Sequence, residues 1–152
     1  MLQEDHKHVQ KMFKQFGKMD REDSEAMQEL VETVCQELEV HTTLEEELFY
    51  PALREALDEE QMEMLEEAWI EHDTAKQLIA SLQELQPDDP KYAATFTVLG
   101  EYVNHHIEEE ESEIFKQARK AKIDTQALGE EMQARREELM GGSPDDDKAA
   151  SR

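Results

Sequence analysis

Apolar residues recur three and four positions apart along most of the chain, the spacing that lays one buried stripe along an α-helix. Leu2, Val9, Met12, Phe13 and Phe16 form the first stripe, which ends near Gly17. After the polar turn around Met19-Asp20-Arg21, Asp23 or Ser24 is suited to cap a second helix with Met27, Leu30, Val31, Val34, Leu38, Leu48, Phe49 and Ala52 facing inward. Pro51 has no backbone donor and is expected to kink the last turns of that helix. A third helix follows Asp58 and carries Leu65, Ala68, Ala75, Ile79 and Leu82, until Pro87 and Pro90 close it and open the next. The fourth carries Phe96, Leu99, Val103, Ile114 and Phe115 and fades near Lys122. A weaker fifth, from about Asp124 to Met140, offers Leu128, Met132 and Leu139 as a docking stripe. Short connections make sequential helices antiparallel. The expected fold is therefore all-α: an antiparallel up-down four-helix bundle over residues 1–122, with a short extra C-terminal helix over 123–140. The tail, residues 141–152, reads GGSPDDDKAASR, has no large apolar residue and is expected to be disordered.

Polar residues break these stripes at inward positions. In the second helix the series 27, 31, 34, 38, 41, 45, 48, 52 runs through His41 and Glu45, and in the fourth the series 96, 99, 103, 106, 110 runs through His106 and Glu110. The first and third helices place His6 and His72 on their seams in the same way. An unpaired buried polar group costs about 1 to 3 kcal/mol, so each of these histidines requires a partner. Antiparallel packing supplies a common height. His41 and His72 lie at similar distances from the turn near residue 57, and His72 and His106 from the turn near 88. Glu45 and Glu110 sit one turn from their histidines, on the same face. The arrangement also repeats: His6 to His72 spans 66 residues (72 − 6), while His41 to His106 and Glu45 to Glu110 each span 65. One histidine per helix and two facing carboxylates, related by a pseudo-twofold axis, make a dinuclear metal cage. Imidazole with bridging carboxylate suits iron first, with manganese or zinc behind it. The ferritin-like alternative needs Glu-x-x-His twice. Here the residues three before the four histidines are Gln3, Leu38, Trp69 and Val103.

The remaining histidines and acids read as surface. His8 lies outside the inward series, His105 competes with its neighbour His106 and loses on helix face, and Glu108 and Glu111 belong to a solvated acidic run. With 39 Asp+Glu against 16 Lys+Arg, the net charge of −23 argues against nucleic acid or an anionic membrane as partner. Cys35, the one cysteine, excludes an internal disulfide and a Cys-rich zinc site, and reads as a reduced packing residue. No apolar run approaches a membrane span, and the N-terminus lacks an apolar signal core, so a cytoplasmic protein is expected.

Taken as a set, Asp5-His6, His41-x-x-x-Glu45 with Glu46, Phe49, Tyr50 and Pro51, Glu71-His72, and His106-x-x-x-Glu110 with Glu111 and Phe115 resemble the hemerythrin family in its bacterial HHE cation-binding form. The resemblance covers about residues 2 to 121. It implies a non-haem centre of two iron ions with an oxo or hydroxo bridge, bridged also by Glu45 and Glu110. His6 and His41 would bind one iron, and His72 and His106 the other. Hemerythrins that carry oxygen reversibly have a second histidine four residues after the first in the third helix, and this chain has Lys76 there. An ammonium cannot ligate. The vacant positions are open to water, peroxide, nitric oxide, or a side chain such as Tyr50, Glu46 or Glu109. The implied function is binding or sensing of O2 or a related small diatomic. The alternatives are an oxidoreductase acting on hydrogen peroxide or nitric oxide and an iron-responsive or iron-storage module.

Overall fold

A computed structural model describes residues 2–20 and 22–140 of the chain; the expected disorder of the tail concerns residues outside that range. Helix α1 runs over Leu2–Gly17 and α2 over Ser24–Leu44, which continues through a π-helical turn, Glu45–Phe49, into α3, Tyr50–Ala56. Helix α4 spans Glu59–Glu84. Helix α5 spans Pro90–Glu109 and passes through a second π turn, Glu110–Ile114, into α6, Phe115–Lys120, before α7, Thr125–Leu139. Four starts are capped by aspartate: Asp23, Asp58, Asp89 and Asp124 each accept a backbone N–H from the first turn. At Asp58 the cap is reciprocal, since the Gln61 side chain accepts the Asp58 N–H at 3.2 Å while Asp58 accepts the Gln61 N–H at 2.9 Å.

The bundle is a ring in which α1 contacts α2 and α5, and α4 contacts the same two. Helix α7 lies against α2 and the first π turn. Two apolar clusters fill the interior. One contains Val9, Phe16, Val31, Val34, Ile79, Phe96, Leu99 and Val103. The other contains Leu2, Leu44, Phe49, Tyr50, Leu53, Leu65, Ile114, Phe115, Leu128 and Met132. Neither cluster includes the buried polar residues His6, His41, Glu45, His72 and Glu110.

The π turns change the register expected from the apolar periodicity. A regular helix past Glu45 would turn Leu48 and Ala52 inward, whereas the structure buries Phe49, Tyr50 and Leu53 and leaves Leu48 and Ala52 half-buried. Residues five apart in an α-helix differ by about 140° around the axis. The wider π coil, closed here by the Tyr50 N–H to the Glu45 carbonyl and the Phe115 N–H to the Glu110 carbonyl, brings them back to one face. Glu45 and Tyr50 thereby share a side, as do Glu110 and Phe115. Pro51 falls in the first turn of α3, just after the first π turn. Proline is not the cause of the feature, because the second π turn has Lys116 at the equivalent place.

Candidate metal centre

All six residues singled out by the sequence converge on one layer of the bundle. Each glutamate spans two histidines. Glu45 turns Oε2 toward His41 Nε2 at 3.4 Å and Oε1 toward His72 Nε2 at 3.1 Å. Glu110 turns Oε1 toward His6 Nε2 at 3.0 Å and Oε2 toward His106 Nε2 at 3.6 Å. The His6 and His41 rings lie 5.0 Å apart, as do those of His72 and His106. Two four-residue donor sets result, His6-His41-Glu45-Glu110 and Glu45-His72-His106-Glu110, each with its atoms within 4.8 Å of one another. Both glutamates belong to both sets, which is the placement of a bridging carboxylate.

The outward nitrogens are all satisfied, and three of the four inward ones are not. His6 Nδ1 lies 2.9 Å from Glu111, His41 Nδ1 2.9 Å from Asp5, His72 Nδ1 2.8 Å from Glu46 and His106 Nδ1 2.5 Å from Glu71. A carboxylate on Nδ1 fixes the ring and leaves Nε2 as the donor atom toward the interior. The pseudo-twofold extends to these partners, pairing Asp5 with Glu71 and Glu46 with Glu111. Glu111 thus departs from the solvated role expected of it: its side chain is 38% exposed, yet its carboxylate holds His6. Its signal in the sequence is position, since an acid follows each inward glutamate and precedes the histidines of α1 and α4. Inside the layer, His6 Nε2, His41 Nε2, His106 Nε2, Glu45 Oε2 and Glu110 Oε1 are buried with no hydrogen bond. Such orphaned atoms are what a bound cation satisfies.

Of the three side chains left open for the remaining positions, only Tyr50 reaches the layer. Its hydroxyl donates to Glu110 Oε2 at 2.5 Å and lies 3.4 Å from both Glu45 Oε1 and His72 Nε2. Tyr50 stacks on His72 as Phe115 stacks on His6, so the hydroxyl exists on one half only. Glu46 is committed to His72 and to Lys76, and Glu109 lies with His105 and Glu71. The Lys76 ammonium is turned to the Glu46 carboxylate, at 2.9 and 3.1 Å, on a side chain 45% exposed. His8 and His105 are exposed, paired with Glu37 and Glu109.

The charges of the layer are strongly coupled. Burial disfavours the His41 imidazolium, but Glu45, Asp5 and Glu110 outweigh it and lift the group to about 10. Burial acts likewise on His106, and Glu110, Glu45 and Glu71 lift it to about 9. Glu45 is pushed up by burial yet held well below the carboxylate range by His41, Glu110 and His72. The Tyr50 phenol is driven well above its ordinary value by burial and by the two glutamates.

Beside the layer, a cavity of about 40 Å³ is lined by Val9, Leu38, Ile79, Val103 and Ile107 together with the four histidines, with Asp5, Glu71 and Lys76 at its margin. It holds little more than one or two water-sized guests.

The family model for the hemerythrin HHE cation binding domain matches residues 1–118. The chain belongs to the hemerythrin HHE cation-binding family. Among solved structures, this hemerythrin-like chain is similar to a hemerythrin HHE cation binding domain-containing protein from Mycobacterium kansasii, with 25% identity and a TM-score of 0.77. That likeness covers 99% of this chain and 91% of the other. No match was found among the curated proteins. The hemerythrin family match stops short of α7, whereas the M. kansasii likeness takes it in. Among the described residues, no helix is long and apolar enough to cross a membrane.

Proposed function

We propose that this protein is a non-haem di-iron protein that binds or senses O2 or a related small diatomic. Glu45 and Glu110 would be shared by the two irons, while His6 and His41 would hold one and His72 and His106 the other. The observation that carries this reading is the set of five buried, inward, unbonded atoms shared between two overlapping donor sets. Imidazole and carboxylate donors suit iron, and they also accept zinc or manganese. When bound, iron supplies open coordination positions and redox chemistry. The chain's own residues hold the histidine rings by their outer carboxylates, keep bulk water out with the two apolar clusters, and offer a small cavity beside the histidines. A cavity of that size favours a diatomic over an organic substrate.

Tyr50 favours a second reading, turnover of hydrogen peroxide or nitric oxide. Its O–H is a hydrogen-bond donor inside the layer, 2.5 Å from Glu110, and one such preorganised donor contributes about 10²-fold or more to a turnover rate. Metal analysis and the visible spectrum of aerobically purified protein test the centre: about two irons per chain are expected, and less than one after anaerobic loading would refute it. Tyr50→Phe separates the two readings. Under binding alone, reversible spectral changes on exposure to O2 or nitric oxide persist, whereas under turnover the rate with peroxide falls about 100-fold.

A further inference from the structure

Helix α7, beyond the residues matched by the family, sets two adjacent arginines against the bundle. Arg135 bonds both oxygens of Glu47, in the π turn that carries Glu45, at 2.8 and 3.3 Å. Arg136 donates through Nη2 to Asp5 Oδ2, the same oxygen that lies 2.9 Å from His41 Nδ1. Leu128 and Met132 are buried in the apolar cluster with Leu2, Phe49 and Phe115, so α7 is docked along its length. We infer that Arg136 is a positioning residue of the metal centre: by fixing the Asp5 carboxylate it sets the aim and donor strength of His41, a role that rests on the di-iron reading.

A carboxylate behind a histidine orients the ring and raises its basicity toward a metal. A guanidinium on that carboxylate restricts its rotation and draws off part of its charge, in a geometry that ammonium does not reproduce. The pseudo-twofold isolates the effect. Glu71 stands behind His106 as Asp5 stands behind His41, but its neighbours are His105 and Glu109, and among the described residues its one cationic hydrogen-bond partner is His106. The guanidinium brace therefore falls on the His6–His41 set, whereas the other set carries an ammonium, Lys76, on the Glu46 carboxylate behind His72, so the two metal positions are chemically unequal despite their matching ligands.

The test uses the full-length, iron-loaded protein with Arg136→Gln, Arg136→Lys and Arg135→Gln, following iron release to a chelator. Arg136→Gln is expected to speed release of one of the two irons about tenfold, the lower range for loss of an outer-shell partner. Arg136→Lys should fall between it and the parent, Arg135→Gln should match the parent, and Arg136→Gln should add nothing once Asp5→Asn is present. In metal-free protein, the His41 Nδ1–H resonance should exchange faster with water in Arg136→Gln than in the parent. Equal acceleration of both irons by Arg135→Gln and Arg136→Gln would overturn the inference, since it reports only that α7 helps the fold. So would unchanged release together with an unchanged His41 resonance. A parent chain that takes up no iron while its His41 resonance still responds to Arg136 would remove the di-iron reading and leave the linkage standing.

Discussion

Stripping the metal is expected to lower the stability of this fold by a large fraction of its total. Five polar atoms in the central layer are buried without a hydrogen bond. Two of them, His6 Nε2 and Glu110 Oε1, face each other at 3.0 Å and partly relieve one another. The other three keep only longer contacts, 3.4 Å between His41 Nε2 and Glu45 Oε2 and 3.6 Å from His106 Nε2 to Glu110. At about 1 to 3 kcal/mol for each unsatisfied group, the upper bound on polar burial left unrelieved in the metal-free layer is about 3 to 9 kcal/mol. Domains of this kind are stable by about 5 to 15 kcal/mol in all. With about 3 °C of Tm per kcal/mol at this length, metal removal lowers Tm by roughly 10 to 25 °C. Circular dichroism at 222 nm on chelator-stripped and iron-reconstituted samples, with metal content measured on both, is the assay. Equal midpoints within about 3 °C, at metal contents near zero and two, would show that hydrogen bonding within the layer already satisfies these atoms and would refute the reasoning.

His41→Ala removes one proposed ligand of the His6–His41 set and should leave about one iron per chain or none, read by elemental analysis; unchanged content would take His41 out of the ligand set. In the metal-free protein His41 and His106 have values of about 10 and 9, above their ordinary 6.5. Their contribution to stability is complete below about pH 6.5 and is lost as pH rises through 9 to 10. Glu45, Glu46 and Asp5 lie below their ordinary values, so their contribution is present above the carboxylate range and is lost as pH falls through it. The metal-free Tm should thus peak near pH 5 to 6, and a value at pH 10 equal to that at pH 6 would contradict the coupling. Gly100→Ala puts a Cβ 2.8 Å from the Phe13 ring. The overpacking cost of about 1 to 3 kcal/mol should outweigh the gain of about 1 kcal/mol in helix propensity, and a raised chemical-denaturation midpoint would refute that balance. Burial, with Glu39 and Glu32 nearby, pushes the Cys35 thiol up to about 12. Native protein at pH 8 should therefore react with iodoacetamide far more slowly than urea-unfolded protein.

The elements of this fold are legible because helix formation is local. Apolar spacing over a few turns, the aspartates Asp23, Asp58, Asp89 and Asp124 at helix starts, and the prolines near residues 87–90 mark the helices to within a few residues. The convergence of His6, His41, His72 and His106 is legible for a related reason: in an antiparallel bundle, distance from a turn sets height, and the 65-to-66-residue repeat carries that height from one half to the other. The π turns are a different matter. Periodicity placed Leu48 and Ala52 inward, whereas one extra residue in the coil buries Tyr50 and Leu53 and brings the Tyr50 hydroxyl to Glu110. No residue type near Glu45 announces that turn, since the same geometry recurs at Glu110 without a proline. Its effect also depends on which side chains of the other helices wait on that face. The carboxylates behind the histidines were partly legible as neighbours of the motif, but Glu111 was misread because an acidic run looks alike whether it faces water or a ring nitrogen. The contact between Arg136 and Asp5 joins residues 131 apart in the chain. Only the docking of α7 brings them together, because a charge pairs with what lies a few ångströms away and local sequence fixes only the charges one or two turns off.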